Sequence, residues 1–303
     1  MADAGEAGLP IRLITRLLAE MLTSIARAGI EAFGGDLDRF GIFALIMVQS
    51  GLRGPGATPS PMSTNALATC LSRPFETVRR HVNAMIAEGL CVRTNAGVIV
   101  SPDCRQRPAI AALLVLTHDA FVRMTEDLIA FDQPVPAARG TPYDPDVAVR
   151  GALEMLLAVA DGHKTLHRCW TSLALFYTSL CGAMRDVTDD PVLARVYADA
   201  TMVVPEGLCR PVRASALARA LGLPYSTVQR RMAAIVAEGR AVQVRGGVLP
   251  VEARLNTVDA RAVSRLSLFQ LRRVLGVAAA GGFPFDDPAS VYLHGRPARL
   301  RIV

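Results

Sequence analysis

A chain of 303 residues, half of it apolar and carrying a formal net charge of +6, has the length of two average domains, and its charge favours a polyanionic partner. Only 5% of the residues are aromatic, too few for a base-stacking platform that grips single strands or RNA. The six cysteines, at 70, 91, 104, 169, 181 and 209, form no C-x-x-C pair and no histidines cluster beside them, so neither a metal site nor any cofactor is expected.

Residues 1–8 are small and polar and are expected to be disordered. Over 9–33 the positions Leu13, Leu17, Leu18, Met21 and Ile25 predict an amphipathic helix. A second helix is predicted over 37–49, then a Gly/Pro/Ser loop over 51–61. Residues 63–89 read as helix, turn and helix. Ala66, Leu67, Cys70 and Leu71 form the apolar stripe of the short helix, and Ser72-Arg73-Pro74 breaks it. Pro74 is expected to open the next helix, where its missing donor costs nothing. Val78, Val82, Met85 and Ile86 share one buried face of that helix. Thr77, Arg79, Arg80, Asn83 and Ala84 lie opposite, and His81 is grouped with Arg79 and Arg80. Gly89 stops the helix. A hairpin follows over 90–101, turning at Thr94-Asn95-Ala96-Gly97, and a long helix over 103–131 carries Ile110, Leu113, Leu114, Thr117, Phe121 and Leu128 along one side.

The proline-rich stretch 132–147 reads as a linker between a first domain, 9–131, and a second, 148–280. Helices are predicted over 148–159, 166–184 and 191–200, a second helix-turn-helix over 213–239, a hairpin over 240–251 and a long helix over 258–280. The basic tail, 281–303, holds two short apolar segments, 291–293 and 300–303, which read as a strand pair.

Residues 62–100 recur as 212–250. Ala66, Leu67, Ala68, Leu71, Pro74, Thr77, Val78, Arg80, Ala84, Ala87, Glu88, Gly89, Val92, Gly97 and Val98 each find the same residue type 150 positions later, from Ala216 to Val248. The repeat is therefore a domain-sized unit used twice. In the second copy Val228, Met232, Ile235 and Val236 face inward, while Ser226, Thr227, Gln229, Arg230 and Ala233 face out.

The Pro-x-x-Thr-Val-x-Arg stretch at Pro74 to Arg80, followed by Met85-Ile86-Ala87-Glu88-Gly89-Leu90, resembles the recognition helix and wing entry of bacterial winged helix-turn-helix regulators of the MarR, IclR and GntR groups. That resemblance implies a mainly α fold with small β-hairpin wings: two tandem winged helix-turn-helix domains with flanking helices, related by a pseudo-two-fold. It also implies a regulator of transcription bound to double-stranded DNA, either one chain acting as a pseudo-dimer or a homodimer, with a small-molecule effector as a further partner class. B-DNA's major groove admits a helix, and arginine and asparagine are its common bidentate readers. Arg79, Asn83 and Gln229 are therefore the base-edge candidates. Arg80 and Arg230 hold the same slot in both copies, which suits a shared phosphate contact; Thr77, Thr227, Arg231 and Arg245 complete the expected surface.

Other readings carry less. His81 has no nucleophile or acidic orienter beside it, its copy is Arg231, and no glycine-rich phosphate loop is present, so an enzyme is not expected. Trp170, Phe176 and Tyr177 read as core rather than as an effector pocket, and Cys70, Cys91 and Cys169 as core thiols. The longest apolar runs, 41–48 and 109–116, are short of a bilayer span, and a cytoplasmic, reduced protein is expected. A tandem winged-helix scaffold and a plasmid-type replication initiator are the alternative functions. All but one of the 33 basic residues are arginine, Lys164 being the exception.

Overall fold

The computed structural model describes residues 9–52, 58–167, 169–251 and 258–302; the expected disorder of 1–8 and part of the 51–61 loop lie outside them. The described chain is mainly helical with two small antiparallel hairpins. Helix α1 (Ile11–Ala32) runs through the centre, buried on nearly every side. Helix α2 (Leu37–Ile46) starts where the Asp36 carboxylate accepts the Arg39 N–H at 2.9 Å. The helix expected over 37–49 changes character at Met47–Gly51, which winds into a π-turn. There the Ser50 hydroxyl donates to the Ile46 carbonyl and accepts the Val100 N–H, so the hairpin draws the helix end out of α geometry.

The first repeat begins with α3 (Thr64–Cys70), capped by Ser63, and α4 (Phe75–Ala87). Pro74 is not the first helical residue, as expected, but the residue before it, with φ −55° and ψ 132°. Strands β1 (Cys91–Thr94) and β2 (Gly97–Val100) pair with Cys91 opposite Val100. A 3₁₀ turn, Pro102–Gln106, precedes α5 (Pro108–Ala130), so the long helix starts later than its pattern suggested because Pro108 sits in its first turn.

Helix α6 (Pro145–Gly162) begins inside the expected linker, since Asp144 caps it and Pro145 suits its first position. Helix α7 (Trp170–Ala183) starts later than residue 166 because the Cys169 sulfur accepts the Ser172 N–H as a cap. Two short helices follow, α8 (Arg185–Asp189) and α9 (Pro191–Val196), the latter ending before the expected residue 200. The second repeat comprises α10 (Ala214–Leu221), α11 (Tyr225–Ala237), β3 (Ala241–Val244) and β4 (Gly247–Pro250). The last helix, α12 (Val258–Ala280), has the bounds its pattern predicted.

Both repeats are built by the same local devices. The turn between their helices needs a left-handed residue, supplied by Ser72 at φ 50° and by Gly222 at φ 68°. Gly89 and Gly239 close α4 and α11 with positive φ, and the next N–H returns to Met85 and to Ile235. Each hairpin gains a third short segment, Met62 bridging to Val98 and Val212 to Val248. Gly97 and Gly247 are pressed against that segment so closely that a Cβ would lie 2.6 Å from the Met62 carbonyl oxygen and 2.4 Å from that of Val212. Only glycine fits there.

The halves pack reciprocally. α1 lies on α5 as α6 lies on α12; α5 touches α6 as α12 touches α1; α1 meets α7 as α6 meets α2; α4 sits on α2 as α11 sits on α7. One apolar core runs through all of them, so the linker divides the sequence while the core crosses it. By length and apolar content α5 would reach across a bilayer, the one such helix among the described residues. Here it lies against α1 and α6, with His118, Asp119, Arg123 and Asp127 all buried.

The tail corrects an expectation. No strand pair forms at 291–303 among the described residues. A 3₁₀ turn, Pro288–Val291, is followed by irregular chain because the N–H groups of Leu293, His294 and Gly295 go to the Asp119 carboxylate at 2.9, 2.9 and 3.2 Å. Arg296 and Arg299 pair with Asp127. His118, bridging Asp119 and the Tyr143 hydroxyl at 2.7 Å each, ties the linker to the same place.

Candidate nucleic-acid interface

Helices α4 and α11 turn the same phase toward the core: Val78, Val82 and Met85 in one, Val228, Met232 and Ile235 in the other, all essentially fully buried. What remains outward is therefore set by helical phase. Arg79, Arg80 and Asn83 are exposed on α4, Gln229 and Arg230 on α11, and Arg245 at the tip of the second hairpin. Thr77 and Thr227 are half-buried at the edge of these faces.

Two expected positions move inward. His81 does not share the face of Arg79 and Arg80. It is buried, with Nδ1 3.5 Å from the Asp36 carboxylate, because it lies three residues after Val78 and so falls on the packed side. Arg231 occupies the same slot after Val228 and is half-buried, its Nε without a hydrogen-bond partner among the described residues.

The remaining side chains differ in how far they are already engaged. Arg79 is forked onto Glu76, at 2.6 and 2.8 Å, and the Glu76 carboxyl is held below its ordinary range chiefly by that hydrogen bond. Both groups face solvent, so the pair is weak and open to competition from a phosphate. The Asn83 amide oxygen accepts from Arg93 of β1 at 2.9 Å, which ties helix to hairpin and occupies the acceptor that a bidentate contact with adenine requires. Arg80, Arg230, Gln229 and Arg245 make no side-chain hydrogen bond or ion pair among the described residues. Neither α4 nor α11 has a side-chain cap, which leaves first-turn N–H groups directed toward whatever faces the helix start.

Sequence reading missed the apolar part of this surface. Phe75 and Tyr225, the first residues of α4 and α11, are 48% and 52% exposed, and Val92 and Val242, on β1 and β3, are each 41% exposed. These are equivalent pairs at the 150-residue offset. The repeat held the signal: an aromatic at the same slot in both copies, just outside the buried phase. Arg93 was also missed, since its role depends on a hairpin folding back beside α4.

Trp170, Phe176 and Tyr177 are core residues, as expected. The cavity beside Trp170 and Tyr177, lined also by Leu22, Phe40 and Leu156, holds about 20 Å³, room for a single water; two larger clefts that Trp170 also lines, one with Cys70, Leu157 and Lys164 and one with Ser72, His167 and Cys169, hold about 180 and 160 Å³. Burial lowers the pKa of His163, which accepts from the Tyr177 hydroxyl and donates to the Val159 carbonyl. Of the cysteines expected in the core, Cys91 is buried, its thiol pushed up to about 12 by desolvation, and Cys169 is half-buried. Cys70, the last residue of α3, is exposed at the edge of a cleft with Leu45, Leu71 and Trp170. Among the described residues no group of three His, Cys, Asp or Glu side chains could hold a metal ion. A scan against protein-family models finds no match, and neither the curated proteins nor the solved structures yield one.

Proposed function

We propose that the chain is a sequence-specific, double-stranded DNA-binding regulator of transcription, in which two winged helix-turn-helix units on one chain stand in for the two subunits of a dimer. The observation that carries this reading is the pair Arg80 and Arg230: equivalent at the 150-residue offset, exposed, and without a side-chain hydrogen bond or ion pair among the described residues. An exposed cation at the same place on two copies of one scaffold suits a repeated phosphate contact. The reciprocal packing of the halves supports a pseudo-two-fold that presents α4 and α11 alike. A random duplex should bind at low salt and be released steeply as salt rises; binding that ignores salt would refute the reading.

A scaffold function is the second reading, favoured by the exposed Phe75, Tyr225, Val92 and Val242. In the DNA reading these are apolar contacts to thymine methyl groups. Replacing Phe75 and Tyr225 together by serine should then shift base preference and leave the salt slope unchanged.

A further inference from the structure

Asn83 is exposed on α4, yet only half of its amide is open. Arg93 donates to it from β1 at 2.9 Å, and a guanidinium has donors only, so the amide turns its oxygen to the hairpin and its NH2 outward. Arg93 is itself held in place. Its partner across the hairpin is Val98, which Met62 bridges on the other edge, and the Thr94 hydroxyl donates to the Gly97 carbonyl at 3.1 Å to close the turn. Arg93 makes no other side-chain hydrogen bond or ion pair among the described residues. The outward surface at this point is therefore made of donors: the Asn83 NH2 beside the remaining N–H groups of Arg93. The second repeat has no such pair. Positions 83 and 93 become Ala233 and Gln243, and Gln243 folds back on its own hairpin, its amide donating to the Gly247 carbonyl at 2.8 Å.

Each base pair shows the major groove a distinct edge. An amide with both of its groups free matches adenine, whose N6 donates and whose N7 accepts; a surface of donors alone matches guanine, whose O6 and N7 both accept. We propose that Asn83 and Arg93 together select a guanine in the half-site under α4, Asn83 as the base contact and Arg93 as the positioning residue that turns its amide. The equivalent slot on α11, Ala233, carries no such preference. The inference rests on the DNA-binding reading and names one base within it. An exposed hydrogen bond between arginine and an amide is weak, but here it has only to decide between two orientations of one side chain. The adenine-reading orientation would point the NH2 at a guanidinium that offers no acceptor.

The test selects duplexes from a random library with the full chain, and again with Asn83→Ala, Arg93→Ala and Arg93→Lys. The position to follow is the one whose preference Asn83→Ala abolishes. The parent should take guanine there, about tenfold over adenine in competition titrations. Arg93→Ala frees the amide oxygen and should move the preference to adenine by about the same factor. Arg93→Lys still donates to that oxygen and should keep guanine. Both side chains are exposed, so the melting temperature should stay in place. Any base but guanine in the parent overturns the proposal, as does an Asn83→Ala variant that alters no position or an Arg93→Ala variant that still selects guanine. Uniform weakening by Arg93→Ala with a flatter salt slope gives Arg93 to a phosphate and overturns it too. Failure of the DNA reading itself looks different, and takes this inference with it: the parent then captures no duplex, or binds one without salt dependence.

Discussion

The two repeats keep apolar residues where Val78, Val82 and Met85 of α4 and their counterparts in α11 are buried, keep glycine at two of their turns, and differ at several positions that face solvent. Val78 matches Val228, Gly89 matches Gly239 and Gly97 matches Gly247, and the registers of both hairpins coincide. On the outward faces Glu76 stands against Ser226, Arg79 against Gln229 and Asn83 against Ala233. The first face is polar and largely self-paired, through Arg79 with Glu76 and Arg93 with Asn83; the second leaves Gln229 and Arg230 open. A duplicated scaffold with unlike surfaces separates what folding requires from what the surface is free to vary.

The shared positions offer the largest effects. Val228→Asp places an unpaired charge at a site with no solvent exposure and should cost several kcal/mol, on the order of 3–5. Thermal unfolding measures it, and an unshifted transition would mean that the buried phase of α11 is misassigned. Gly97→Ala and Gly247→Ala force a methyl onto backbone at positive φ and should each cost roughly 1–3 kcal/mol. Equal losses in the two copies would sharpen the comparison. A loss in one alone would break it.

How much of this was legible follows from the same division. The buried phases of α4 and α11, both hairpins and the bounds of α12 depend on periodicity and turn residues close in sequence, and the sequence displays those. The inward turn of His81 was missed because the histidine was grouped by charge with its neighbours Arg79 and Arg80, although three residues after Val78 is the packed side of the helix, where Asp36 lies beside it. The tail was misread as strands because Val291 and Leu300 look β-prone, whereas the acceptor for the N–H groups beyond Val291 is Asp119, remote in sequence. The π-turn at Met47 depends in the same way on Ser50 meeting Val100. The uncommitted state of Arg80 and Arg230, by contrast with the paired Arg79, could be seen only once neighbours were placed.

Smaller effects probe the divergent faces. Ser72→Gly should stabilise the chain by about 1 kcal/mol, since serine there carries the left-handed strain that Gly222 avoids in the second copy; denaturant titration reads it, and a neutral result would show the turn relaxed around serine. Glu76→Ser copies the second face onto the first and releases Arg79. DNA affinity should rise by up to about 1 kcal/mol, the size of an exposed ion pair, and the salt slope should steepen by about one counterion. An unchanged slope would leave Arg79 outside the interface.

The claim that two unlike units on one chain read two unlike half-sites is tested most directly by selecting duplexes from a random library with the full chain and footprinting the winners. The account predicts a bipartite site covered by one chain, with halves of different sequence, the preference in one half relaxed by Arg79→Ala and in the other by Gln229→Ala, each by roughly 1–3 kcal/mol. A perfect palindrome bound by two chains, each through one of its repeats, would contradict it.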